Sequence, residues 1–261
     1  MKMSDNTILI TGGTSGIGLE LAMQLLNLGN TVIITGRDQA KLDSIKATLP
    51  NLHTMLSDVS DPAAIVALYN HVTTDFPALN VLINNAGIMR KINLHDQNDD
   101  LASITREIET NLLGTIWMAK QFLPQLKTQK SAAIVNVTSG LAFVPLPISP
   151  VYCAAKAGIH SFTQSLRIQL KNTSIQVFEL APPATETPLF KGDFTTADLS
   201  VTKNMAVEVL VQQAIRGLSK DVLEIRPGLS NFLKLMSRVA PQWMLKQLGK
   251  STDTMLAQTK T

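Results

Sequence analysis

Short apolar runs alternate along most of the chain with longer stretches of helical spacing. "TILIT" (7–11) predicts a first strand. From Ile17 to Leu28 the apolar residues at 17, 21, 22, 25 and 28 keep the period of a helix, and Gly29 stands where a helix end wants a left-handed residue. "TVIIT" (31–35), "LHTML" (52–56), "LNVLIN" (79–84), "AAIVNVTS" (132–139), "IQVFELA" (175–181) and "VLEI" (222–225) read as six further strands. Helices are expected over 39–48, from the Asp61-Pro62 start, continuously over about 100–126, and over 151–171. Nearly unbroken apolar strands separated by helices predict an α/β fold. The expected architecture is a Rossmann-type, doubly wound, seven-stranded and mostly parallel sheet, with helices on both faces, in a single domain over 1–261.

Composition narrows this little. The 261 residues are 45% hydrophobic and 16% charged, with a net charge of +3. That suits a sizeable core and excludes a disordered chain. Lys and Arg are scattered, which argues against nucleic acid as a partner. Cys153 is the single cysteine, so no internal disulfide can form and a reducing, cytoplasmic setting is expected. The four histidines lie far apart, giving no metal-ligand spacing. No apolar run has signal-peptide or membrane-spanning length.

The chemistry begins at "TGGTSGIG" (11–18), where the first strand hands over to a helix. Gly12, Gly16 and Gly18 permit a tight turn and close backbone approach. With Thr14, Ser15 and Ile17 they set unpaired N–H groups and the positive end of a helix dipole before a phosphate. Such a site sits at the carboxyl ends of the strands, where the winding reverses. The second strand ends in Gly36 and Arg37, where an acidic residue would bind a ribose 2′-hydroxyl. A guanidinium there can grip a 2′-phosphate, which predicts NADP(H) over NAD(H), although the adjacent Asp38 could partly neutralise it.

"YCAAK" sets Tyr152 and Lys156 four apart, on one helical face. At an effective dielectric of about 20, an ammonium about 4 Å from the phenol is worth about 4 kcal/mol, enough to draw its pKa toward neutrality. Tyr152 could then exchange a proton with a substrate oxygen. Ser139 follows the fifth expected strand and could bond a substrate carbonyl. Asn111 shares a face with Ile104, Ile108 and Thr115. Burial of its amide calls for partners, either a water chain to Lys156 or nearby backbone.

These motifs together, with Asp58 in "SDVS" and "NNAG" at 84–87, resemble the short-chain dehydrogenase/reductase family over roughly residues 5 to 226. The resemblance implies that Asp58 and Val59 line the adenine and that residues 84–87, with Asn84, Ala86 and Gly87 foremost, border the dinucleotide and brace the central sheet. It also implies a catalytic tetrad of Asn111, Ser139, Tyr152 and Lys156, with Lys156 holding the nicotinamide ribose. Pro182 and Thr187 match positions beside the nicotinamide, while Pro183 replaces the family's usual glycine. That double proline is similar to the DltE-like oxidoreductases. Homodimers or homotetramers are a further implication.

Phe143, Leu189 and Phe190, with Ser139 and Tyr152, are the expected substrate contacts, implying a hydrophobic carbonyl or alcohol. A lid is expected over about 183–205. The amphipathic extension over about 229–250 fits packing on the domain or a partner subunit better than lying on a membrane. A non-catalytic NADP(H) sensor and a sugar-nucleotide epimerase stand as alternatives to an oxidoreductase.

Overall fold

The computed structural model of the chain describes residues 1–96, 100–190, 194 and 204–258, without the side chains of Phe190, Thr254, Ala257 and Gln258. Seven strands form one parallel sheet in the order β3-β2-β1-β4-β5-β6-β7. They are β1 (Thr7–Ile10), β2 (Thr31–Gly36), β3 (His53–Leu56), β4 (Leu79–Asn84), β5 (Ala132–Val137), β6 (Ile175–Leu180) and β7 (Glu224–Ile225). The chain winds outward from β1 to β3, then crosses to β4 on the other side of β1. The carboxyl ends of β1 and β4 therefore diverge, opening a crevice.

Residues alternating along each strand feed two cores. Ile8, Ile10, Ile34 and Phe178 pack with Leu21 and Leu25 of α1 (Gly16–Asn27). Leu42 of α2 (Gln39–Thr48) and Val211 of α7 (Val207–Ser219) complete that layer. Leu9, Ile33, Leu82 and Ile134 pack against α3 (Pro62–Asp75), α5 (Gly114–Lys127) and α6 (Pro150–Gln169) on the other face, with Phe122 at its centre. Truncating so fully buried a phenyl ring costs about 3–5 kcal/mol.

Local chemistry sets several boundaries. Gly29, at φ +82°, closes α1. Asp61 caps α3, accepting from the Ala63 N–H at 2.8 Å, with Pro62 in the first turn. Asp38 caps α2, accepting from the Lys41 N–H at 3.1 Å. The continuous helix expected over 100–126 is broken. A short α4 (Leu101–Ile104) precedes a π-helical segment (Ile108–Leu113), and only then does α5 begin. Hydrophobic spacing does not register one extra residue in a turn, and π-turns of this kind gather at functional sites.

A third apolar cluster covers the carboxyl ends of the later strands. It joins Val144, Leu146, Ile148 and Cys153 to Leu233 of α8 (Leu229–Val239), Met244 and Leu248 of α9 (Pro241–Leu248), and Met255 of α10 (Lys250–Gln258). One face of the expected C-terminal extension thus packs on its own domain.

Candidate active site

The crevice above β1 and β4 widens into a cavity of about 550 Å³. Its near end is backbone. Gly12 has φ +66°, and a Cβ there would come 2.7 Å from the Ala86 Cα. A Cβ on Gly18 would come 2.4 Å from the Gly12 carbonyl. Gly18 therefore acts by letting α1 approach the turn, and it is absent from the described lining, which holds Gly12, Thr14, Ser15, Gly16 and Ile17. Thr11 and Asn85 knit this turn to the one after β4. The Thr11 hydroxyl accepts from the N–H groups of Asn85 and Ala86 at 3.0 and 3.1 Å. The Asn85 amide donates to the Thr11 and Gly12 carbonyls at 3.0 Å each. A cleft of close-packed glycines with a helix N-terminus on one wall fits a dinucleotide pyrophosphate.

Of the two roles expected for 84–87, Asn84 takes the bracing one and is absent from the described lining. Its amide donates to Asn136 at 2.9 Å, and Asn136 donates to Thr163 on α6 at 2.9 Å. This buried ladder braces β4, β5 and α6, while Ala86 and Gly87 reach the cavity. Val59 lines it too. Asp58 is turned aside, accepting from the Ser60 N–H at 2.9 Å and from its hydroxyl at 2.7 Å. Arg37 reaches the rim with its Nη1 3.8 Å from an Asp58 oxygen, both side chains being partly exposed. Asp38, engaged as the cap of α2, shows no ion pair with Arg37 among the described residues; the carboxylate paired with the guanidinium is that of Asp58.

Ser139, Tyr152 and Lys156 meet at the middle of the cavity. Ser139 caps a short turn, accepting from the Leu141 N–H at 3.1 Å, and hydrogen-bonds Tyr152. Lys156 donates to the Val137 carbonyl at 2.8 Å, its Nζ 5.7 Å from the centre of the Tyr152 ring. Burial is the largest influence on both. It pushes the phenol well above its ordinary value, opposed by the Ser139 bond and reinforced by negative charge at Cys153 and Glu107. It pushes Lys156 down to about 8. The lowered phenol expected from the lysine alone is thus corrected: desolvation of the hydroxyl outweighs an ammonium bound to backbone.

Asn111 offers a second correction. Neither side-chain polar atom needs a water chain to Lys156. Its oxygen accepts from the Ile88 N–H at 2.8 Å and its amide donates to the Ile88 carbonyl at 2.9 Å. One turn earlier, fully buried Glu107 accepts from the Arg90 N–H at 2.8 Å and meets the Arg90 guanidinium at 3.4 Å. The π-segment and the residues just before it therefore pin the stretch 88–90, where Ile88 and Met89 line the cavity.

Phe143 is not among the described lining residues. Its ring packs edge-on against His160 at 5.1 Å and under the Lys234 ammonium at 5.1 Å. His160, one turn beyond Lys156 on α6, meets buried Glu179 at 2.8 Å, and Glu179 accepts from the Thr138 hydroxyl at 2.7 Å. Lys234 and Arg226 pair with Glu224 on the neighbouring strand. The far end of the cavity is apolar. Leu146 and Leu189 line it together with Leu229, Phe232, Leu233, Met244 and Leu248 of α8 and α9. The sequence shows those C-terminal residues as a stripe but not the cavity that they face. Pro182, Pro183 and Thr187 also line the cavity, with Thr187 beside Gly16. The Phe190 side chain and residues 191–193 and 195–203, much of the expected lid, lie outside the described part.

The short chain dehydrogenase family model matches residues 6–198. The chain belongs to that family. As a short-chain dehydrogenase it is similar to the uncharacterized oxidoreductase DltE of Bacillus subtilis (strain 168), at 47% identity over 86% of this chain and 89% of that protein. This supports the DltE-like subgroup expected from the double proline. Among solved structures it resembles a short-chain dehydrogenase from Sphingobium yanoikuyae in complex with NADPH. The TM-score is 0.78 and the identity 26%, over 97% of this chain and 95% of that one. It also resembles 3-ketoacyl-(acyl-carrier-protein) reductase from Brucella melitensis complexed with NADH. There the TM-score is 0.79 and the identity 27%, over 88% and 100% of the two chains. The chain is an oxidoreductase of the short-chain dehydrogenase family with a nucleotide-binding Rossmann fold. Among the described residues no cluster of side chains could hold a metal, and no helix is long and apolar enough to cross a membrane.

Proposed function

We propose that this short-chain dehydrogenase interconverts a hydrophobic carbonyl compound and its alcohol with NADP(H). The observation that carries the reading is the meeting of Ser139, Tyr152 and Lys156 midway between a glycine cradle and an apolar chamber. When bound, the dinucleotide supplies or receives the hydride. The N–H groups of the glycine turn would hold its pyrophosphate, Lys156 would hold the nicotinamide ribose, and Thr187 and Pro182 would border the nicotinamide.

Ser139 orients the substrate oxygen, and Tyr152 passes its phenolic proton to that oxygen as the carbonyl is reduced. Burial keeps the phenol protonated through neutral pH. Its proton is therefore present for reduction near neutrality. Oxidation needs the phenolate and gains as pH rises. Asn111 acts through Ile88, as a positioning residue for the wall beside the substrate. At the rim, Arg37 suits a 2′-phosphate. Its contact with Asp58 is loose and solvent-screened, so the guanidinium stays available.

Tyr152→Phe removes the proton while keeping the ring. Turnover of apolar aldehydes and ketones, followed by absorbance at 340 nm, should fall by about 10²–10⁴-fold. NADPH binding, followed by fluorescence, should persist. Wild-type turnover in that variant would overturn the mechanism.

A further inference from the structure

Helix α8 carries one wide apolar arc, running from Leu235 and Val239 through Phe232 and Met236 to Leu233, and only part of it is covered. The Leu233 side is buried over the cavity. On the other side Leu235 is 57% and Val239 71% exposed, with Phe232 (43%) beside them and Trp243 (52%) continuing the arc on α9. Exposed Phe, Leu, Val and Trp side chains, with only Asn231 and Arg238 among them on α8, have no account in the folding of this domain, since a surface helix normally sets polar residues there. Charge accompanies it. From Arg226 to Ser251 the sequence holds five cations and no carboxylate. Arg226 and Lys234 are used by Glu224, while Arg238, Lys246 and Lys250 are exposed beside the apolar stripe. Leu229 and Phe232 belong both to the exposed face and to the cavity lining, so the apolar chamber opens onto the patch.

We propose that this face docks on an anionic lipid surface and that the chamber takes its substrate from there. An apolar stripe flanked by cations is the chemistry of an interfacial helix: the apolar residues enter the acyl boundary and the cations meet lipid phosphates. A second copy of the chain fits the same face less well. Apposing a segment free of carboxylates against itself about a twofold axis would set cation against cation. Docking on lipid does not depend on the proposed dinucleotide preference or on the catalytic role of Tyr152.

The test is co-sedimentation of the full-length protein with vesicles of phosphatidylcholine alone or mixed equally with phosphatidylglycerol, together with Trp243 fluorescence. Binding should occur on the mixed vesicles and weaken with salt, and Trp243 emission should shift to the blue. The double substitution Leu235→Glu, Val239→Glu replaces no residue of the described cavity lining. It should abolish binding and leave turnover of a soluble carbonyl unchanged. Arg238→Gln and Lys246→Gln should each weaken the partition constant about fivefold. No binding to the mixed vesicles at low salt would overturn the proposal, as would binding unaltered by the double substitution. So would a wild-type dimer that ignores vesicles and becomes monomeric on the double substitution, since the face would then belong to a second copy.

Discussion

The two ends of the cavity are built from different material. The dinucleotide end is backbone: Gly12 against Ala86, Gly18 against Gly12, and the Thr11 and Asn85 side chains satisfying peptide groups between two turns. The far end is side chain. Leu146, Leu189, Leu233, Met244 and Leu248 arrive there from well-separated segments and meet in one apolar chamber. A common ligand can be gripped by peptide groups, whose geometry is the same in every residue. A particular substrate has to be fitted by side-chain volume, and volumes can be exchanged without disturbing the sheet.

The sharpest way to break that contrast is to put a side chain where the first end is pure backbone. Gly12→Val forces a β-branched residue into positive φ and drives its Cβ toward the Ala86 main chain. Strain and overpacking together amount to about 4 kcal/mol, so NADPH affinity measured by calorimetry should fall about a thousandfold. A loss below tenfold would show that the two turns are free to separate.

Lys156, between the two ends, is a charge held where burial disfavours it. Its pKa falls from 10.5 to about 8. Between those values the unfolded chain keeps a proton that the folded chain has released, so this group's contribution to apoprotein stability rises with pH across that window. The Lys156 contribution is about 3 kcal/mol at most, and below pH 8 its full penalty is present. Burial also raises the Cys153 thiol from 9.0 to about 11, which works in the opposite sense above pH 9, so the net rise falls between about pH 8 and 9. Urea unfolding should show that rise in the wild type and its absence in Lys156→Met. Identical slopes in the two proteins would refute the burial argument.

How much of this could be read in the sequence follows the same division. The sheet, its seven strands and the glycine turn were legible because buried parallel strands and left-handed turns each demand particular residues. The spacing of Tyr152 and Lys156 was legible because a helix repeats. Contacts that join distant segments were not. The partner of Asn111 is a peptide group 23 positions away. Phe143 carries nothing to say that His160 and Lys234 will enclose it. Asp58 and Asn84 stand in recognisable motifs, yet their side chains serve the turn after β3 and the Asn136 ladder. The amphipathic C-terminal pattern was plain, whereas the surface that its buried face covers exists only after folding.

Arg37 tests the one place where a side chain sets the choice at the dinucleotide end. A charge-assisted contact with phosphate is worth about 2 kcal/mol. Arg37→Ala should therefore raise the KM for NADPH about thirtyfold while moving that for NADH less than threefold. Equal loss with both cofactors would make Arg37 an adenine-packing residue and remove the basis for the NADP(H) preference.

The mildest change should act on one end alone. Leu229 lines the chamber at its mouth and is 37% exposed, so Leu229→Ala leaves no buried void and little loss of stability is expected. Removing these methyl groups from a wall against an apolar substrate costs about 1 kcal/mol of transition-state binding, or roughly fivefold in kcat/KM. The loss should grow with the length of an aliphatic carbonyl substrate and disappear for the shortest. The KM for NADPH should stay unchanged, because the glycine turn over 11–18 lies at the other end of the cavity. If short and long substrates lost equally, the chamber under α8 would not be where the substrate's tail lies. If NADPH binding fell as well, the two ends would be mechanically coupled through the Ser139 turn, where Gly140 packs against Ser230 and Leu233.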